Sequence, residues 1–282
     1  MANAVYPGYM GYADIASVGN VRFADASITA TQTVEAPDLI MGDYDHDAYV
    51  YGKIEVGGSI SGPVTETFAG GGSGIWDWAT DRDECGDLTS SDVHIWYFCG
   101  GSNSNRNFTN LLVNNLNFSC AAGDIAQFSI DVMGTGAGAW AGGNPPPIQT
   151  AEKLITWDKV GVSVSPQGEW TGDTDLPFSN FDFTIANNLE MVYSLGQADL
   201  FPYDIVPGLR TITGSVSVFG TPQSNGFDNY DAYEANPIGT ITFNIDTITV
   251  VASVRFHRVE PASSVGPVIS TVGFTGVGHQ NW

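Results

Sequence analysis

The chain has 282 residues, enough for one large domain or two of ordinary size, and its apolar content of 43 % against 14 % charged residues excludes a disordered chain. Its formal net charge is −22, from 31 acids and 9 bases. The acids are spread, 17 against 4 bases in residues 1–145 and 14 against 5 in residues 146–282, so the charge belongs to a surface and not a tail. Such a surface repels phosphate and excludes tight nucleic-acid binding driven by counterion release.

Taken in chain order, MANAVYPGYMGYADI has neither the basic start nor the apolar core of a signal peptide. No apolar run is long enough to span a bilayer, so no membrane partner is expected. In ASITATQT, Ser27, Thr29, Thr31 and Thr33 alternate with Ala26, Ile28 and Ala30, which predicts a strand with one buried and one wetted face. GDYDHDAY sets Asp43, Asp45 and Asp47 at alternate positions, as a calcium loop begins, but Ala48 stands where the turn glycine belongs and Ile54 where the closing acid belongs. It reads as a solvated acidic loop. In GKIEVGGSIS, Ile54, Val56 and Ile60 oppose Lys53, Glu55, Ser59 and Ser61; Lys53 is the one cation of that face, with Glu55 beside it to neutralise it.

AGGGSGI and GGSNSNRN are expected to be loop insertions, and IWDWATDRDE a short helix. DVHIWYF, from Asp92, is a strand. GTGAG, Gly134 to Gly138, is similar to a dinucleotide loop but runs into a Gly and Pro segment, so it is a strand end. Cys85, Cys99 and Cys120, an odd number without a CxxC, indicate a reduced cytoplasmic folding environment and no disulfide scaffold. AGGNPPPIQT, residues 141–150, is expected to be a stiff linker.

Beyond it much of the first half returns. FSNFDFTIANNLE lies on FADASITATQTVE at an offset of 155, PGLRTITGSVS on YGKIEVGGSIS at 156, and VGFTGVG on IDVMGTGAG at 142. FDNYDAYEAN supplies a second short helix and TITFNI a second strand, in the same order. Three collinear blocks read as a tandem duplication: β-domain 1 over 1–140, the linker, and β-domain 2 over 151–282. The fold class expected is all-β, two sandwich or barrel domains with a short helix each. The row Thr211, Thr213, Ser215 and Ser217 repeats the small, hydroxylated wetted face of the first half.

No site chemistry emerges. His46, His94, His257 and His279 lack metal-ligand spacing, GxSxG and GxxxxGK[ST] are missing, and Asp81, Asp83 and Glu84 are unremarkable among 31 acids. The sequence predicts no enzyme, metal or cofactor.

The second half, with Asn187, Asn188, Leu189 and Glu190 closing a strand and Gly208, Arg210, Ile212, Thr213, Gly214 and Ser215 opening another, resembles the tail tube proteins of long-tailed bacteriophages. His257 to Gly278 resembles that family's closing hairpin. The first half departs at Thr33, in place of the second Asn, and at Ile54, in place of Arg210. The resemblance implies that six such domains form a ring, that each adds strands to one β-barrel around a lumen, and that rings stack into a tube. The tube would enclose a tape-measure protein, meet tail-tip and tail-terminator proteins, and pass genomic DNA without binding it tightly. A duplicated chain would build the ring from three copies, in a virion tail assembled in the host cytoplasm. The residues expected to line the lumen are Ser59, Ser61, Thr211, Thr213, Ser215 and Ser217, with Ser27, Thr29, Asp182 and Thr184. Two alternatives are a tail-tip or baseplate ring protein of the same fold, and a secreted two-domain adhesin or carbohydrate-binding module using Trp76, Trp78, Trp96, Trp140, Trp157, Trp170 and Trp282 to stack on sugars.

Overall fold

Alternating apolar and small polar residues make strands, and the computed structural model is almost wholly β. It describes residues 11–21, 23–35, 50–65, 74–99, 102–143, 153–166, 178–196, 199–219, 238–245, 248–257 and 269–277. The strands of the first half are β1 (Gly11–Ile15), β2 (Gly19–Val21), β3 (Asp25–Ala26), β4 (Thr29–Glu35), β5 (Val50–Pro63), β6 (Ser91–Cys99), β7 (Ser102–Ala121), β8 (Gln127–Gly134), β9 (Gly136–Ala137) and β10 (Ala141–Gly142). Those of the second are β11 (Val160–Pro166), β12 (Phe178–Ala186), β13 (Glu190–Val192), β14 (Asp204–Val206), β15 (Thr211–Phe219), β16 (Ile238–Ile245), β17 (Ile248–Phe256) and β18 (Ile269–Gly276). One α-helix, α1 (Ile75–Thr80), lies among the described residues, inside the segment expected to be helical, and a single 3-10 turn spans Trp157–Lys159. Its counterpart near Phe227, the acidic loop at Asp43 and the proline run lie outside them.

Among the described residues all strand pairings are antiparallel. In the first half the order is β1-β6-β7-β8-β5, with β3 and β4 on the far side of β5; in the second it is β11-β16-β17-β18-β15-β12. Registers follow the sequence offsets. Ala30 pairs with Val56 as Ile185 pairs with Ile212, and Ile60 with Ile130 as Val216 with Val272. The halves are joined edge to edge: β12 pairs with the last third of β7, from Asn180 opposite Ala121 to Ala186 opposite Asn115.

GGSNSNRN, expected to be an inserted loop, is largely strand. Ser102–Asn107 opens the 20-residue β7 and pairs with β6. Asn and Ser have low strand propensity, but a partner strand supplies the backbone hydrogen bonds that decide the matter. Within the expected linker, Ala141 and Gly142 add a short strand to β7.

The inward side chains of both halves share one apolar cluster, including Ile60, Leu116, Phe118, Ile130, Phe181, Phe183, Phe243 and Phe274. Phe118 meets Phe181 at 5.1 Å between ring centres, Phe181 meets Phe243 at 5.0 Å, and α1 adds Trp76 at 5.9 Å from Phe183. Each buried Phe of this kind contributes about 2–3 kcal/mol by removal from water.

The recurring glycines of the repeat have a packing reason. A Cβ on Gly58 would come within 2.5 Å of the Ser27 carbonyl oxygen and 2.6 Å of Ile28 Cα, and one on its counterpart Gly214 would strike the Asp182 carbonyl oxygen and the Phe274 ring. In both halves the strand before crosses too closely for any side chain.

Candidate functional site

The face of the sheet opposite the core carries the expected hydroxyls, and register assembles them into rows. One row runs Asp25, Ser61, Ser129, Asn117, Thr184, Thr213, Thr275 across seven strands. A second runs Ser59, Asp131, Asn115, Ala186, Thr211, and a third Gln127, Ser119, Asp182, Ser215, Gly273. Cross-strand contacts tie the rows together: Ser27 and Ser59 share a hydrogen bond of 3.0 Å, Asn115 donates to Asp131 at 3.0 Å, and Asn117 donates to Asp182 at 2.8 Å and to Thr184 at 2.9 Å. The charges in these rows are Asp25, Asp131 and Asp182, and the first row continues onto β17, where the exposed Arg255 lies opposite Thr275.

Thr29, Thr211, Thr213 and Ser27 are exposed or half-exposed, and Ser59, Ser61, Asp182, Thr184 and Ser215 half-buried. Ser217 differs. It is buried, its hydroxyl shared with Thr271 at 2.8 Å and its carbonyl taken by Ser179 Oγ. At the margin of the face Lys53 is held by Glu55 at 2.5 Å and lies over the Tyr193 ring at 5.3 Å. The Glu55 carboxylate raises the Lys53 pKa, so the cation is fixed and matched.

Sequence reading missed the middle of this face. Asn115, Asn117 and Ser119 come from NNLNFSC, and Ser129 and Asp131 from FSIDVMG. Both stretches alternate strictly with Leu116, Phe118 and Cys120, or with Phe128, Ile130 and Val132, so a period-two scan finds them.

A second polar cluster lies where the halves meet. Asn187 is fully buried. Its Nδ2 donates to the carbonyls of Ala79 (3.0 Å) and Val113 (2.9 Å), and its Oδ1 accepts from Arg210 Nε (2.9 Å) and Arg82 Nη2 (3.4 Å). Its backbone N–H donates to the Asn114 carbonyl at 2.7 Å. Arg210 also donates to the Thr80 carbonyl at 2.7 Å, and Arg82 to that of Gly208 at 3.4 Å. Burial lowers the Arg210 pKa to about 10, Arg82 adds to the shift and Asp81 opposes it. Asn188 takes a left-handed backbone (φ 52°) and caps the Leu209 carbonyl at 2.6 Å, which turns the chain into the β13–β14 hairpin. The NNLE and GxR motifs are thus the cement between the two halves. Position Ile54, corresponding to Arg210, has no charge to offer there. Its backbone is instead strapped by the hairpin segment, with Ile54 N–H donating to the Leu200 carbonyl at 2.8 Å and Tyr193 Oη donating to the Ile54 carbonyl at 3.1 Å.

Trp76, Trp78 and Trp96 are buried, and Trp140 and Trp157 are exposed, Trp140 against Tyr97 at 5.6 Å. Trp170 and Trp282 lie outside the described residues.

The described residues thus form an antiparallel β-protein with a broad wetted face of small hydroxyls, amides and carboxylates. The family model of phage tail tube proteins matches residues 5–276, and the chain belongs to that family. No curated protein matches it. It is therefore a structural component of a phage tail, which self-assembles with other tail components into the tube.

Proposed function

We propose that the chain is two copies of one β-unit, residues 1–140 and 151–282 joined through 141–150, and that three chains close a ring of near-sixfold shape. The matching strand orders and registers of the halves support this. Rings stack into a tube, and the polar rows face its lumen, around the tape-measure protein before ejection and around DNA during it. Tail-tip and tail-terminator proteins bound the tube at its ends, and assembly takes place in the host cytoplasm.

The observation that carries the reading is the composition of the wetted face: rows of hydroxyls and amides across seven strands whose charges are aspartates, with one arginine, Arg255, where the first row reaches β17. A wall on which carboxylates outnumber cations disfavours ion pairs with phosphate and the counterion release that drives tight DNA binding. Short hydroxyls hold water without narrowing the channel.

Electron microscopy of the purified protein tests the assembly; stacked rings of three chains are expected, while six chains per ring or isolated rings overturn it. Thr213→Cys in a Cys85→Ser background tests the face. In the monomer its thiol should react with a polymer-tagged maleimide, and in intact tubes it should be shielded. Equal labelling in both puts the rows on the outside.

A further inference from the structure

Two guanidiniums share one acceptor where the halves meet. Arg82 follows α1 in the first half and Arg210 stands just before β15 in the second, and both donate to Asn187 Oδ1, at 3.4 and 2.9 Å. A shared oxygen holds the two nitrogens within about 6 Å of each other, twice the reach of a hydrogen bond. Both side chains are half-buried, so water screens their repulsion poorly. Neither makes an ion pair among the described residues, whereas Lys53 and Lys159 each have a carboxylate. Partly buried charges of one sign normally have a counter-charge.

The carboxylates nearby do not supply it. Asp77 accepts from the Gly74 N–H at 3.0 Å, and Asp83 from those of Cys85 and Asp87 at 2.8 and 2.9 Å. Burial and the Arg82 charge lower the Arg210 pKa, and Asp81, itself exposed, only opposes them from a distance. The donors are under-used as well. Arg82 Nε is buried without an acceptor, and the Nη contacts of Arg82 to Gly86, Asn187 and Gly208 are all 3.4 Å long. Arg210 spends Nε on Asn187 and Nη2 on the Thr80 carbonyl, and its Nη1 makes no hydrogen bond among the described residues. The backbones behind both are fixed, Arg82 by its bridge to Leu88 and Arg210 by the start of β15.

We propose that Arg82 and Arg210 together bind one small oxyanion, which bridges the first half of the chain to the second. Guanidinium edges match the oxygens of phosphate and carboxylate alike, and a group held between two of them removes their mutual repulsion. Asp81, Asp83 and Asp87 around the site repel a polyanion such as DNA, so the site fits a single small group. Free phosphate and a carboxylate side chain from another copy offer the same oxygens, and the two sources differ in what they stabilise: the folded monomer in the first case, the assembly in the second.

Thermal unfolding of the full chain, with chloride keeping the ionic strength constant, tests the site. Free phosphate should raise the midpoint saturably, since ten times the dissociation constant multiplies the folding equilibrium constant about elevenfold. Arg82→Gln should remove the saturable rise, and Lys53→Gln should keep it. Phosphate also stabilises proteins generally by exclusion from their surface, without saturation, so the comparison with Arg82→Gln isolates the site. Phosphorus NMR of phosphate with the parent protein needs no variant: saturable line broadening, relieved by sulfate, is expected. A carboxylate from another copy gives a different pattern. Phosphate then leaves the monomer midpoint unchanged, Arg82→Gln blocks assembly, and Arg82→Lys restores it in part. A phosphate response equal in the parent and Arg82→Gln, or none in either, together with normal assembly of Arg82→Gln, overturns the proposal and leaves the ring reading standing.

Discussion

Replacing Asn187 by Ala should be among the most damaging single changes in this protein. The side chain is fully buried and makes four hydrogen bonds, two given to the carbonyls of Ala79 and Val113 and two received from Arg82 and Arg210. Truncation leaves two backbone acceptors and two guanidinium donors short of a partner inside the protein. A lost bond costs about 1 kcal/mol and an orphaned buried group about 1–3 kcal/mol, more when it is charged. Some of these groups keep other partners, since Arg210 still donates to Thr80 and Arg82 to Gly208. The total should be about 3–5 kcal/mol. At about 2 °C per kcal/mol for a chain of this size, the melting temperature should drop by roughly 6–10 °C. Urea unfolding of monomeric protein measures the loss, with Gln32→Ala as the control. Gln32 occupies the corresponding place in the first half but is exposed, so its truncation should stay within about 0.5 kcal/mol. A loss below about 1 kcal/mol for Asn187→Ala, or equal losses for the two, would refute the view that this cluster cements the halves.

Three further outcomes follow from the packing and charge. Gly214→Ala puts a methyl group against the Asp182 carbonyl and the Phe274 ring, and should cost about 3 kcal/mol or more in the same unfolding assay; Gly123→Ala, where a Cβ meets nothing within 4 Å, should cost less despite its φ of +93°. Of the two described free thiols, Cys85 is exposed and should react with a thiol reagent in native protein at about pH 8. Cys120 is buried, and burial, aided by Asp124, raises its pKa, so it holds less thiolate at that pH and should react only on unfolding. Thr213→Lys with Ser215→Lys should leave monomer stability within about 1 kcal/mol, because both positions lie on the wetted face. It should also make assembled tubes retain short duplex DNA, with retention lost as salt rises; tubes that bind no DNA at low salt would count against a lumenal face.

The alternation of Thr, Ser and Val, the glycine spacing and the acidic charge made the all-β class legible from the chain alone. They also marked the hydroxyl faces of β5 and β15, because side-chain period in a strand is local and needs no partner to be read. Gly58 and Gly214 were visible as a recurrence but not as a cause, since the carbonyls and ring that exclude a Cβ come from other strands. Pairing itself was not legible. Asn and Ser before Phe108 read as a loop until β6 supplied the missing hydrogen bonds. Asn115, Asn117, Ser129 and Asp131 became part of one face only when β7 and β8 were set beside β5 and β12. The Asn187 cluster was least accessible of all. It draws Arg82, Thr80 and Val113 from one half and Asn187 and Arg210 from the other. A hydrogen bond reaches about 3 Å in space whatever the separation along the chain, so only the tertiary structure could show which distant groups satisfy one another.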